Sequence, residues 1–414
     1  MDILQITSLL IVLAAAFASI NYLVLRLPSA IGILIVALAA SLAVLGIDAL
    51  IPSSQMAETV RAQVLQIEFS EALLEGMLGL LLFAGALHVK LSDLKEQWLL
   101  VFLMATIGIG LSTAIVGFGF SYITGMPLLI ALVFGALISP TDPVAVLGVL
   151  RQANLKKSLE TKIAGESLFN DGVGYVVFLV LVGLAFPAVT AEDHGGGLVD
   201  AVLLFVQEAV GGALLGFILG WLTFRVMRRI DDYSVEVLLT LALASGGYSL
   251  SLFLHVSAPI MAVVAGLLIG DVGMAKGMSE RTREYVDAFW KLIDEILNAV
   301  LFLMIGFEVF AVAFNIETVT AGAYAVGLAL VARLFAVAVP VLLLRRIREF
   351  TPGVIPIMTW GGLKGGISVA LVLSLPESEW KPLMLTAAYM VVVFSIIVQG
   401  LTVAPLARRL TREV

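Results

Sequence analysis

The sequence predicts an all-α polytopic membrane protein of about thirteen transmembrane helices, built as two inverted six-helix repeats with a broken helix in each. Three observations carry this. The 414-residue chain is 61% hydrophobic and 13% charged, where a soluble domain is about 25% charged. Its basic residues fall alternately on the two sides of apolar runs long enough to cross a bilayer. Two of those runs are interrupted at mid-membrane depth by Pro- or Gly-rich segments that carry a charge.

Between charge clusters, spans fall near residues 4–25, 28–48, 70–89, 98–122, 128–150, 160–186, 197–224, 234–254, 258–270, 286–307, 316–344, 353–376 and 383–407. The first has small residues after its apolar run, at Ala14 to Ala18, as a leader peptide would. Asp2 stands where a basic segment would be needed, so it reads as a span. One side then receives Arg26, Lys90, Lys95, Arg151, Lys156, Lys157, Arg225, Arg228, Arg229, Lys276, Arg281, Arg283, Arg345, Arg346, Arg348, Arg408, Arg409 and Arg412. The other receives only Arg61 and Lys381, beside Glu58, Glu192, Asp193, Glu377 and Glu379. A miscounted span would scramble this alternation. The positive-inside rule therefore places the N-terminus outside and the C-terminus in the cytoplasm, in the cell (inner) membrane. The net charge of −7 says little about partners, because topology decides which side each charge faces. The absence of cysteine excludes disulfides and thiolate metal sites.

The odd count divides into a first repeat (1–186, spans 1–6), a connecting span 7 (187–233) and a second repeat (234–414, spans 8–13), with no soluble regulatory domain expected. Span 5 is interrupted by Ser139-Pro140-Thr141-Asp142-Pro143, and its counterpart, span 12, by Gly361-Gly362-Leu363-Lys364-Gly365-Gly366. Paired interruptions in two inverted halves point to a transporter binding site. Unwound backbone at that depth is tolerated only where it lines a cavity or is buried in protein. Asp142 before Pro143 reads as an N-cap, a carboxylate at a positive helix end. Lys364 follows a half-helix expected to end near Trp360, where the dipole is negative.

Span 6 holds Glu166, Ser167, Asn170 and Asp171 within six positions. A charge at bilayer centre costs roughly 3 kcal/mol or more on insertion scales, so such residues mark an ion or proton path. Ser167 and Asp171 are four apart, as are Glu166 and Asn170, so the four share one side of a helix. Asp142 on the neighbouring span is positioned to face them. Carboxylate, amide, hydroxyl and free carbonyl oxygens suit a hard cation rather than a soft metal. A buried aspartate also accepts a proton. Cation and proton then compete for one carboxylate, which is enough to couple their movements. Arg333 in span 11 needs a buried counter-ion, with Glu166 and Glu295 as candidates and a structural Glu166–Arg333 pair favoured. Lys291, Asp294 and Glu295 are expected to form a local network on span 10, with a solvated helix end as the alternative for Lys291.

These residues resemble the monovalent cation/proton antiporter family, in its sodium/proton exchanger branch of bacterial and archaeal NhaP-like proteins. The matching motifs are Ser139 to Val144, Gly165 to Gly172, Phe289 to Glu308, Ala332-Arg333 and Gly361 to Gly366. The resemblance implies a thirteen-helix fold of two inverted repeats, a homodimer, and elevator-like alternating access. It implies a cation site of the Asp142, Ser167 and Asp171 side chains with the Thr141 carbonyl. Asn170 would hold that site together, with Glu166 and Arg333 as the structural pair. It also implies exchange of sodium, or lithium or potassium, for protons, with no cofactor and no nucleic-acid partner. Relatives with two aspartates at the Asn170-Asp171 position exchange two protons per sodium, whereas the Asn-Asp branch is electroneutral. Asn170 cannot release a proton, so one-for-one exchange through Asp171 is expected.

Other classes fit less well. An intramembrane aspartyl protease needs a Gly-x-Gly-Asp motif, and Leu268-Ile269-Gly270-Asp271 fails at its first position. An enzyme is therefore not expected, and the paired breaks argue against a simple channel. Gly212, Gly216 and Gly220 recur every four residues, compatible with close packing within the protomer or between two copies. His88, His194 and His255 lie near span ends and read as interfacial residues.

Overall fold

In a medium without water every backbone polar group must be satisfied internally, and this chain does so with helices. The structure, a computed structural model, describes residues 3–51, 56–64, 69–142, 157–186, 198–312, 314–348, 350 and 352–411. Among these residues there is no strand. The elements that matter here are α1 (Ile3–Ile20), α2 (Ser29–Leu50), α3 (Leu78–Leu87), α4 (Leu91–Leu103), α5 (Ile109–Thr124), α6 (Leu128–Ile138), α7 (Lys157–Ala185), α8 (Leu198–Met227) and α9 (Tyr233–Phe253). They continue as α10 (Ala258–Leu268), α11 (Glu280–Phe307), α12 (Ile316–Leu344), α13 (Val354–Trp360), α14 (Gly366–Leu373), α15 (Lys381–Phe394) and α16 (Gly400–Thr411).

Ten helical stretches among the described residues are long and apolar enough to cross a membrane. The three other predicted spans take different forms. At 128–150, the 11-residue α6 stops at Ile138, and the second half of the predicted span lies outside the described residues, with Pro143 and the N-cap reading of Asp142. At 286–307, α11 is 28 residues long, but its first half is heavily charged. At 353–376, α13 and α14 are helices of 7 and 8 residues separated by 361–365.

Helix starts follow local chemistry. Asp232 caps α9 by accepting from the amides of Ser234 and Val235 at 2.9 and 3.0 Å. Asn315 and Thr318 form a reciprocal capping box at α12. Ser257 caps α10, with Pro259 in its first turn. The glycine ridge of α8 is resolved in favour of packing within the protomer. A Cβ at Gly212 or Gly216 would strike the Ser257 or Met261 carbonyl, so these glycines let α8 and α10 approach backbone to backbone.

Buried apolar side chains form two clusters. The larger joins α1, α2, α5, α6 and α11 to α16; the smaller joins α3, α9 and α10. The helix bearing the predicted site borders both. Leu159, Ile163 and Phe178 of α7 pack in the larger cluster and Leu168 in the smaller, so Ser167 and Asp171 lie along the seam.

Candidate ion-binding site

The candidate site is built where the unwound chain after α6 lies beside the break between α13 and α14. After α6 ends, Ser139 to Asp142 run unwound, and the Asp142 amide donates to the Leu363 carbonyl in the other break at 2.8 Å. Lys364 then reaches across, its Nζ donating to the Ser139 and Pro140 carbonyls at 2.7 and 3.1 Å. Ser368 Oγ, one turn into α14, donates to the Leu137 carbonyl at 2.7 Å. Sequence placed the Lys364 charge at the negative end of its own half-helix; it sits instead at the negative end of α6. The reason is geometric, because the breaks lie side by side and the α6 carbonyls are the orphaned acceptors within reach.

The negative end of α13 is occupied by Arg333. Its Nε and Nη2 donate to the Met358 carbonyl at 3.2 and 3.0 Å. The same guanidinium forms a two-pronged pair with Glu166, through Nη1 to Oε1 and Nη2 to Oε2, the latter at 2.8 Å. Both are deeply buried, at 1% exposure for Glu166 and 5% for Arg333. Gly362 makes this possible, since a Cβ there would collide with the guanidinium. Glu295 is corrected: it lies exposed on α11 and Arg333 is satisfied without it. The Lys291-Asp294-Glu295 network is also corrected. Lys291 pairs with Asp287 at 2.6 Å, one turn back, while Asp294 accepts from Asn298 at 3.0 Å.

Around Asp142, the unwound stretch is fastened to α7. Asn170 Nδ2 donates to Thr141 Oγ1 at 2.9 Å, its Oδ1 accepts from the Thr141 amide at 3.3 Å, and Thr141 and Ser167 share a hydroxyl hydrogen bond at 3.0 Å. The Thr141 side chain is thereby committed, and its main-chain carbonyl is the oxygen it has to offer. Asp171 is 7% exposed, one turn along α7 from Ser167, within electrostatic reach of Asp142 and Lys364. No group of three or more His, Cys, Asp or Glu placed to hold a metal ion occurs among the described residues. The acidic charge here is limited to two carboxylates among hydroxyl, amide and carbonyl oxygens. That donor set suits one hard monovalent cation or a proton.

Sequence reasoning missed the support beneath Lys364. The chain between α15 and α16 winds one wide turn, Ser395–Gln399, whose Ser395 Oγ accepts from the Lys364 amide at 2.9 Å. That hydroxyl donates to Gln399 Oε1 at 2.7 Å, and Gln399 Nε2 donates to the Trp360 carbonyl at 3.1 Å. The available signal was a polar pair four residues apart in an otherwise apolar run. Glu308 was also passed over, although it is 5% exposed and its Oε2, like Tyr389 Oη, has no hydrogen-bond partner among the described residues.

Glycine at 365 keeps the second break against Asp142. A Cβ there would lie 2.7 Å from Asp142 Cβ and 2.9 Å from Cγ. Gly365→Ala is therefore expected to raise the sodium concentration for half-maximal exchange about tenfold or more, since a displacement of about 1 Å at a reacting centre can cost ~100-fold. A sodium titration of transport by the purified variant is the check, and an unchanged value would show that Asp142 is not held by this contact.

Comparison with known proteins bears on this arrangement. The family model described as "Sodium/hydrogen exchanger, transmembrane" matches residues 10–409. The chain belongs to the sodium/hydrogen exchanger family. Among relatives in this family, the Na(+)/H(+) antiporter NhaP of Pseudomonas aeruginosa is 46% identical over 98% of this chain and 97% of its own length. The Na(+)/H(+) antiporter NhaH of Halobacillus aidingensis is 35% identical, covering 85% of this chain and 87% of its own. The fold is shared with the sodium proton antiporter MjNhaP1 from Methanocaldococcus jannaschii, with a TM-score of 0.76 over 99% of this chain and 98% of that one, at 18% identity. A multi-pass membrane protein of exchanger fold is thus established.

Proposed function

We propose that this exchanger-family protein is a secondary active antiporter moving sodium against protons, with both competing for Asp171. The observation that carries the reading is the meeting of Asp171 and Asp142 beside unwound backbone, where residues 139–142 lie against the break between α13 and α14. A bound cation takes ligands from Asp142, Asp171, Ser167 and the Thr141 carbonyl, while a proton on Asp171 neutralises the same carboxylate. The two loads exclude each other, so each delivery in one direction requires a return with the other. Asn170 braces Thr141 and contributes no proton, which supports one-for-one, electroneutral exchange. Glu166 with Arg333, and Lys364, hold the two breaks together, and no cofactor enters the cycle.

Thirteen spans in two inverted six-helix repeats joined by α8 account for the breaks at matching places. The alternation of basic residues supports an N-terminus outside and a C-terminus in the cytoplasm, in the cell membrane. The exposed apolar face of α8, including Val206, Val210, Leu214 and Phe217, is available to lipid or to the second subunit of a homodimer. The cross-bonds between the breaks favour elevator-like movement of the two as one body. Proton influx then drives sodium out wherever the proton gradient points inward.

The test is proton flux into proteoliposomes carrying a quenched pH dye, with sodium, lithium or potassium added in turn. Sodium-driven pH change is the expected result, and a response confined to potassium would assign potassium exchange instead. Proton flux independent of every cation would refute antiport. Current recorded on a supported membrane under a sodium gradient is expected to be absent, and a sizeable net current would refute the one-for-one ratio.

A further inference from the structure

Lys162 lies near the start of α7, at the face that bears the basic loops, and is a buried cation without an anion. It is 4% exposed and makes no hydrogen bond or ion pair among the described residues. Its Nζ rests 5.5 Å from the centre of the Phe350 ring, a weak substitute for a counter-ion. A lysine this close to a helix end ordinarily snorkels into water, because an unpaired ammonium withdrawn from water is costly. Its helix is packed tightly where it stands. A Cβ at Gly165, three residues on, would strike Leu94 of α4.

A second cation stands beside it. Arg348, just beyond α12 and two residues before Phe350, is partly buried and acts on Lys162 as a like charge. Its Nη1 donates to the Glu96 carbonyl of α4 at 2.5 Å. The other guanidinium N–H groups make no hydrogen bond among the described residues. Neither Glu96 on α4 nor Glu160 on α7 forms an ion pair with either cation. Neighbouring cations that share no carboxylate are costly unless an anion joins them. The same elements carry an apolar flank. Leu342, Leu343 and Ile347 at the end of α12, with Trp98 and Phe102 on α4, are each more than half exposed. Apolar side chains exposed beside basic ones at the end of a span meet acyl chains and headgroups together.

We propose that Lys162 and Arg348 form a binding site for the phosphate of an anionic phospholipid, between the ends of α4, α7 and α12. The arginine offers N–H donors in a fork that suits phosphate oxygens, and the lysine a compact charge on the buried side. Two cations without an acid favour a negative headgroup over a zwitterionic one. The acyl chains use the exposed apolar flank, which a soluble phosphate cannot. The site stands at the start of the helix that carries Ser167 and Asp171, so its occupant braces that helix against α4 and α12. It does not depend on which ions are exchanged.

The experiment is native mass spectrometry of the purified protein, freed of native lipid in detergent and titrated with phosphatidylglycerol or phosphatidylcholine. Wild type is compared with Lys162→Met and Arg348→Gln, and melting temperature is recorded on the same preparations. Wild type is expected to hold one phosphatidylglycerol about tenfold or more tighter than either variant does, the effect of one charge-assisted hydrogen bond. It is also expected to prefer phosphatidylglycerol to phosphatidylcholine. Without lipid, Lys162→Met is expected to melt no lower than wild type, since it removes an unpaired buried charge and keeps the apolar length. That separates lost binding from lost fold, and Arg348→Gln carries the same comparison if Lys162→Met does not fold. Equal phosphatidylglycerol binding by all three proteins would overturn the proposal, as would phosphatidylcholine bound as tightly. Full stabilisation of wild type by glycerol phosphate alone would also overturn it, assigning the site to a soluble anion.

Discussion

Asp171→Asn is expected to reduce sodium-driven proton flux to the level of protein-free liposomes while the protein folds normally. Asparagine has nearly the shape of aspartate but neither carries a charge nor takes up a proton, so both loads are lost with one atom changed. The carboxylate is buried beside Asp142, and removing one of two like charges relieves repulsion rather than creating a void. The variant's melting temperature in detergent is therefore expected to equal or exceed that of the wild type. Flux and melting measured on one preparation separate loss of coupling from loss of fold. Retained sodium-coupled flux would move the exchanging carboxylate elsewhere, with Asp142 the next to test.

Glu166→Ala should do the opposite, leaving a protein that fails because it is unstable. The Arg333 guanidinium would keep its bonds to the Met358 carbonyl but lose its anion in a site 5% exposed. Breaking a buried pair from one side costs about 3–5 kcal/mol, because the remaining charge has no counter-ion and little water. That is a large share of the roughly 5–15 kcal/mol that holds a folded domain together. The expected outcome is a sharp fall in folded yield and in detergent melting temperature. Removing both charges, as Glu166→Gln with Arg333→Met, should recover much of the loss, since well-packed neutral replacements of buried pairs are often close to neutral. A single variant as stable as wild type would mean that water or another acid reaches Arg333.

Much of this was legible in the sequence because the bilayer narrows the choices. An apolar run about 20 residues long has few fates, so helices such as Ile316–Leu344 appear within a few residues of their predicted ends. The break at 361–365 was visible because five of the six residues from Gly361 to Gly366, all but Lys364, are glycine or leucine, four of them glycine, at a depth where a regular helix is the default. Spacing put Ser167 and Asn170 on one side of α7, whereas their meeting with Thr141 was implied only by the family resemblance. What sequence did not give was partner choice across long separations. Lys364 looked toward its own helix end, yet the nearer orphaned carbonyls belong to residues 139 and 140. Glu295 stood beside the favoured Glu166 as a candidate anion for Arg333, and only the two-pronged Glu166–Arg333 pair excluded it. Lys291 found Asp287 one turn away, an i,i+4 contact that was available from spacing but lost to nearer acids in the same run.

The bonds that join the two breaks and their supports also set a timetable for biosynthesis. Lys364 and Ser139 are 225 positions apart, and Arg333 and Glu166 are 167 apart. At about 5–20 residues per second, a ribosome needs roughly 10–45 seconds to go from the first partner to the last. Until residue 333 is made Glu166 has no cation to meet, and until residue 364 the Ser139 and Pro140 carbonyls have none, so Asp142 and Asp171 stand in an unfinished site. Translation halted before residue 364 therefore leaves the acids in place without the lysine that ties residues 139 and 140 to the second break.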